Sequence, residues 1–416
     1  MGGIMIIAGE ASGDTLAAEL IRAIRQSRLN PPLSRKNSGG QIEAKFFGAG
    51  GPKMEAAGFD LEIDLTRHAV VGIWEVIKQY SHFKKIFDRL LKLAYDRLPQ
   101  AVILVDYPGF NLRFAKALKK MVRNSSGPFS NWDPKIIYYV SPQIWAWHES
   151  RIKQIAKDID LILSIFPFEK KWYADRTSSL RVEYVGHPIL DRFQSTLEDT
   201  RQNDTENDKR LFKAILLPGS RKKELNAHLP EMLGALQELK DIDSWSFNLV
   251  IPNETLLPIV TSWMNRISTP RNFSVSCGHL ERNLRESDIA IASSGTVTME
   301  CAFFGVPTIV LYKTSWITYK LGRMLIKVPY LAMPNLLAEE EIYPELIQDD
   351  ATPEKIHEWM LKFKNNPEQR RQIQRKLKIV ITSLGQPGAA VRAAGIITDL
   401  LNPRLESRQE NITHVI

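Results

Sequence analysis

Cysteine is nearly absent from this 416-residue chain: only Cys277 and Cys301 occur, each in an apolar-flanked segment and without C-x-x-C spacing. A disulfide framework and a structural zinc site are both disfavoured on that ground. No run approaches the roughly 18 apolar residues that a membrane-spanning helix requires. At the amino end no basic segment leads into an apolar core, because a strand-like run, Ile4 to Ala8, begins at once. A secretory leader is therefore not expected, and the cytosol is the default compartment. No cluster of Asp and Glu marks a metal site, and no cofactor is expected. Aromatic residues make up 9% of the chain and are not interleaved with basic ones in an RNA-binding pattern, so nucleic acid is not an expected partner.

What is present is an ordinary globular composition, 44% hydrophobic and 25% charged. The length exceeds one ordinary core and predicts two domains. A formal net charge of +8 calls for an anionic partner, either an anionic membrane surface or a phosphorylated substrate. The segment His68 to Leu93 sets Val71, Trp74, Ile77, Tyr80 and Phe83 against Lys78, Lys84, Lys85 and Arg89 at helical spacing. That pattern fits a helix lying on anionic lipid, and equally a core helix with a solvated basic face.

The stretch Ser287 to Tyr312 organises the second half. An apolar run, a Ser293-Ser294-Gly295-Thr296 turn, a helix through Phe304, a Gly305-Val306-Pro307 stop and a second apolar run read as a βαβ unit. In such a unit the turn lies at the carboxyl edge of a parallel sheet, where free amides and the helix dipole hold an anion. Glu300, four residues after Thr296, is placed to accept hydrogen bonds from sugar hydroxyls. A simple capped helix in an α/β core reads the same way.

Similar punctuation recurs along the chain. Ile4 to Ala8 runs into Gly9-Glu10-Ala11-Ser12-Gly13-Asp14 and a helix from Thr15 to about Arg25. Ala101 to Val105 ends at Asp106, and a carboxylate at the end of a parallel strand beside Pro108 and aromatics suits a general base. Alternatively, Asp106 or Asn111 caps the helix Leu112 to Val122. Lys135 to Val140 leads to Ser141-Pro142-Gln143-Ile144-Trp145-Ala146-Trp147, a rigid wall that could stack on a sugar or line an acyl groove. His187, before Pro188, reads first as a turn residue. Residues 195–210 are polar without periodicity and form the linker. Leu211 to Leu217 then leads to Gly219, Ser220 and Arg221, an anion clamp at a helix start. Cations there oppose the helix dipole, and that conflict hints at function.

These pieces, taken together, resemble the two-domain nucleotide-sugar glycosyltransferase fold called GT-B, two doubly wound Rossmann-like domains across a cleft. GEASGD (Gly9 to Asp14), GAGGPKM (Gly48 to Met54), VDYPGFN (Val105 to Asn111), YYVSPQIWAW (Tyr138 to Trp147), YVGHPILD (Tyr184 to Asp191), LLPGSRKKE (Leu216 to Glu224), SSGTVTME (Ser293 to Glu300) and MPNLLA (Met333 to Ala338) occur in the order found in the lipid-A-disaccharide synthase family. The resemblance spans Ile4 to about Leu401. It implies an amino-terminal acceptor domain, residues 1–194, rejoined by a carboxyl-terminal helix at 386–402, a UDP-sugar domain at 211–385, and a polar tail at 403–416.

The resemblance also implies an inverting, metal-independent transfer from UDP-2,3-diacylglucosamine to 2,3-diacylglucosamine 1-phosphate. Asp106 matches the base; Gly219, Ser220, Arg221, Ser294, Gly295, Thr296, Glu300 and Asn335 match the UDP-sugar site. Glu10, Ser12, Gly13, Asn111, Gln143 and Trp145 fall on the acceptor side. The enzyme is then expected to be peripheral on the inner face of the cytoplasmic membrane; a homodimer stays open. The competing expectations are another UDP-sugar transferase or epimerase of this fold, or a non-catalytic lipid-binding relative.

Overall fold

The computed structural model describes residues 2–27, 34–36, 42–66, 80–125, 132–193, 210–325 and 328–401. The first half of the His68 segment, the linker and the polar tail fall largely or wholly outside these residues. The chain divides into two compact units, one drawn from positions 1–194 and 386–416, the other from 195–385.

Strands in the first unit are β1 (Gly2–Ala8), β2 (Ser34–Lys36), β3 (Ile42–Ala44), β4 (Phe46–Gly50), β5 (Asp60–Asp64), β6 (Pro99–Val105), β7 (Lys135–Tyr139), β8 (Leu161–Ser164) and β9 (Arg181–Tyr184). Among the described residues seven of them form one parallel sheet in the order β5-β4-β1-β6-β7-β8-β9, while β2 and β3 pair separately. The second unit holds β10 (Phe212–Leu217), β11 (Trp245–Ile251), β12 (Phe273–Cys277), β13 (Ile289–Ser293), β14 (Thr308–Tyr312) and β15 (Glu345–Ile347), ordered β12-β11-β10-β13-β14-β15 and again all parallel. The central strands are continuous apolar runs because helices cover both sheet faces. Ile4 to Ala8, Ala101 to Val105 and Ile289 to Ala292 are all inaccessible to solvent.

Both sheets are doubly wound: the chain steps outward from the first strand, returns, and continues on the other side. The order reverses between β1 and β6 in one unit and between β10 and β13 in the other. Register fixes what meets there. Ala8 pairs with Val105, so Gly9 and Asp106 leave the sheet side by side, and Leu217 pairs with Ala292, so the Pro218 and Ser293 turns do the same.

Several helix bounds differ from the sequence reading. The first helix is Ala11–Gln26, one turn earlier than expected. The helix expected at Leu112 is Pro108–Ser125, because proline is well suited to a first helical position whose N–H has no partner. Residues 353–384 form two helices, Pro353–Asn365 and Pro367–Ser383, interrupted where Asn366 caps the second. The last helix, Ala389–Leu401, packs on Ala11–Gln26 and on Pro188–Arg192. Asp191 accepts the Ala389 and Ala390 N–H groups, each at 3.2 Å, and so caps it. No helix among the described residues is long and apolar enough to cross a membrane.

Asp14 ties the first loop to its neighbour. Its carboxylate, 2% exposed, accepts the N–H groups of Gly51, Lys53 and Met54, each at 3.0 Å. A Cβ on Gly51 would lie 2.7 Å from Asp14 Oδ2, which explains glycine there. Asp14→Ala strands three backbone donors and is expected to cost about 3 kcal/mol in urea unfolding; a loss below about 1 kcal/mol would show that the carboxylate is not what holds the turn.

Candidate active site

In the first unit every candidate side chain follows β1, β6 or β7, which are neighbours. Asp106 and Tyr107 both have left-handed backbones, φ 48 and φ 49, an unfavourable pair for non-glycine residues. Four contacts enforce the conformation. Asp106 N–H donates to Tyr139 O at 3.0 Å, and the Asp106 carbonyl accepts the Tyr138 hydroxyl at 2.6 Å and Asn111 Nδ2 at 2.8 Å. The Tyr107 ring lies over Gly9, where any Cβ would stand 2.3 Å from Tyr107 Cδ1. Burial, then the Asp106 charge, pushes the Tyr138 phenol well up, so it stays a donor. The strain lies in the backbone of Asp106 and Tyr107, and these contacts hold it in one conformation.

Glu10 occupies the N-cap of the Ala11 helix and Ser12 is exposed in its first turn. Gly13 is buried, and an added Cβ would meet Ala8 Cβ at 3.6 Å and Val105 O at 3.7 Å, ordinary contact that alanine would tolerate. Gln143 is exposed at the N-cap of the short helix Ile144–Trp147. Trp145 is half-buried, its indole edge-on to Phe168 at 5.0 Å.

Asn111 must be moved from the acceptor list. It is fully buried, and its amide nitrogen donates to the Asp106 and Val105 carbonyls at 2.8 and 3.2 Å. It is a strut beneath Asp106, and neither residue begins the following helix.

In the second unit the Gly219 turn is already filled. Gly219 has φ 118, and a Cβ there would lie 2.4 Å from Glu224 Oε2. That carboxylate accepts Ser220 N–H at 2.8 Å and Arg221 N–H at 3.3 Å, and its other oxygen takes an Arg221 guanidinium N–H at 3.2 Å. Glu224 therefore resolves the charge conflict at the helix start: an acid in the first turn, reaching back to the N-cap amide. The clamp is not an open cradle of amides but an arginine oriented by an internal acid.

His228 braces this turn from below. Lys313 N–H donates to its Nε2 at 3.2 Å, which leaves Nδ1 to carry the proton toward the Pro218 carbonyl at 2.9 Å. Burial, the largest cause, lowers its pKa and keeps it neutral.

Beside it, Ser294 N–H is used by Leu311 O at 2.8 Å, whereas Gly295 and Thr296 are exposed at the head of the helix Val297–Phe303. Glu300 is half-buried one turn further on. Asn335 must also be corrected. It is fully buried; Nδ2 donates to Tyr343 O and Glu345 Oε1, both at 2.8 Å, while Oδ1 accepts Ile342 N–H at 3.0 Å and Tyr343 N–H at 2.8 Å. All its capacity goes to holding the Met333–Ala338 helix, with none left for a nucleotide.

Residues 4–397 match the family described as Lipid-A-disaccharide synthetase. The chain belongs to that family. It is 34% identical over 400 residues to a lipid-A-disaccharide synthase of Trichlorobacter lovleyi, covering 96% of this chain and 97% of that one. With one of Syntrophus aciditrophicus it shares 36% over 408 residues, covering 96% and 97%. Among solved structures it resembles the UDP-GlcNAc 2-epimerase of Neisseria meningitidis bound to UDP-GlcNAc (TM-score 0.59, 12% identity, 97% and 100% covered). It also resembles the glycotransferase of kitacinnamycin (TM-score 0.57, 14% identity, 95% and 98% covered). At such identities these two establish the GT-B fold and nothing finer.

In this lipid-A-disaccharide synthetase family member, His187 caps the short helix Pro188–Arg192. Its Nδ1 accepts Ile189 N–H at 3.2 Å, and burial, aided by Arg192, lowers its pKa to about 3. The unfolded chain binds this proton near pH 6.5 and the folded chain does not. Its share of stability is thus intact above pH 6.5 and is lost at about 1.4 kcal/mol per unit as pH falls toward 3. Thermal melts from pH 7 to 5 should show a shallower decline for His187→Asn than for the parent; parallel declines would refute this.

Proposed function

We propose that this protein transfers 2,3-diacylglucosamine from UDP-2,3-diacylglucosamine to the 6-hydroxyl of 2,3-diacylglucosamine 1-phosphate, forming the β-1,6-linked disaccharide 1-phosphate of lipid A and UDP. Family membership across residues 4–397 carries the reading. The reaction needs a base for the acceptor hydroxyl and stabilisation of the departing diphosphate.

Asp106 is the base. It removes the 6-hydroxyl proton as that oxygen bonds to the anomeric carbon from the face opposite UDP, and the breaking C–O bond leaves its electron pair on the diphosphate. Arg221, oriented by Glu224, and the amides at Gly295 and Thr296 receive that charge, with Ser220 and Ser294 flanking them. Glu300 accepts from the ribose. On the acceptor side Glu10, Ser12, Gln143 and Trp145 contact the sugar, and Gly13 lets the helix approach closely. Asn111 and Asn335 act as internal supports. The protein works at the anionic inner surface of the cytoplasmic membrane, where its basic excess favours a phosphorylated, acylated substrate.

The test is UDP release in EDTA, with and without acceptor. Release that requires acceptor, survives EDTA and falls about a hundredfold or more in Asp106→Asn is expected. Acceptor-independent release would make the protein an epimerase or hydrolase instead. Arg221→Lys, which loses the fixed guanidinium fork, is expected to lower kcat/KM for the UDP-sugar about tenfold with little change in folding; an unchanged value would remove Arg221 from the diphosphate.

A further inference from the structure

Beneath the turn that follows β7 lies a buried acid that the chemistry above does not use. Glu169, 1% exposed, stands in the first turn of the helix Pro167–Ala174. Its Oε2 accepts Phe166 N–H at 3.3 Å, an ordinary cap. The other oxygen, Oε1, accepts the indole N–H of Trp145 at 3.0 Å, and Ser141 hydrogen-bonds the same carboxyl group. Ser141 Oγ also meets the Tyr173 hydroxyl at 3.1 Å, and that hydroxyl donates to the Pro142 carbonyl at 3.3 Å. Two residues of the Ser141 to Trp147 turn are thus fastened to one carboxyl group, and a third to its neighbour Tyr173. A cap alone needs none of this; caps usually sit in water.

We propose that Glu169 is a positioning residue for the acceptor: through the Trp145 indole hydrogen bond it fixes the wall against which the acceptor lies. The proposal rests on the reading of Trp145 as an acceptor contact. Burial raises the Glu169 pKa to about 7, and among the described residues no cation pairs with it. The titratable groups around it do not change charge there. Tyr173 is pushed up by burial and stays protonated, and His187, whose ring lies 5.3 Å from Phe166, is neutral with a pKa of about 3. Lys170, the next residue, pairs at 2.8 Å with Glu183. Glu169 therefore loses its charge between pH 8 and 6. A carboxylate holds an indole N–H more strongly than a neutral acid does, so the wall loosens as pH falls.

Two measurements on the full chain test this. The first is the acceptor KM and kcat from pH 6 to 8.5 for the parent, Glu169→Gln and Trp145→Phe. The acceptor KM of the parent should rise about fivefold from pH 8 to 6 with kcat little changed, while both variants show a raised, flat KM. The second is tryptophan fluorescence titrated without substrate. The parent should show a transition near pH 7 that both variants lack, and Trp145→Phe serves if Glu169→Gln does not fold. Absence of the transition in the parent overturns the proposal. A transition with a flat acceptor KM overturns it too, by removing Trp145 from the acceptor while the transferase reading stands. If the parent releases no UDP at all, that reading fails and takes the proposal with it.

Discussion

Where a parallel sheet reverses its strand order, two neighbouring strands end together and their helices leave on opposite faces. Backbone amides and carbonyls at that edge lose their ladder partners without being covered, so each must find a side chain, water or a ligand. The rest of this molecule depends on how those groups are satisfied. In the first unit the edge lies at Ala8 and Val105, in the second at Leu217 and Ala292. Every residue proposed to touch substrate lies in the turn or helix that follows one of these four strands or β7 beside them.

The chain meets this demand largely from within. Asn111 and Tyr138 lock the backbone at the first edge, and Asp14 holds the Gly51 turn next to it; Glu224 and His228 lock the second edge, and Asn335 with Glu345 fastens the segment before β15. Glu345 illustrates the pattern. It accepts Leu331 and Ala332 N–H groups at 2.8 and 2.9 Å, and burial raises its pKa despite those bonds. Each internal bond contributes only about 1 kcal/mol net, but each leaves an expensive orphan if removed. The outcome is a backbone held in place around Asp106 in the first unit and around Arg221 in the second, with Gly295 and Thr296 exposed beside the latter.

Much of this was legible in the residues. Central parallel strands announce themselves as unbroken apolar runs, and the small-residue turns after them mark the functional edge. Edge strands did not. Asp60–Asp64, sequence DLEID, and Phe273–Cys277, sequence FSVSC, lie at sheet edges with no residue fully buried, so neither carries an unbroken apolar run. Within the site, residue type and position make Asp106 and Arg221 the candidates for base and anion clamp. The amides of Asn111 and Asn335 were misread as ligand contacts because an asparagine after a strand serves backbone or substrate equally well, and only burial decides. Glu224 and Glu169 were overlooked although both follow the first-turn acid pattern of a helix cap; what the sequence withholds is that each cap acid also holds a second side chain.

The division of labour between the two edges is the central claim, and hydrogen–deuterium exchange with and without UDP tests it most directly. The account predicts slowed exchange at Gly219 to Arg221 and at Gly295 to Val297, with the Gly9 to Asp14 and Asp106 to Asn111 turns unaffected by UDP alone. Protection confined to the first unit's turns would contradict it, because the nucleotide would then occupy the edge assigned to the acceptor and its base.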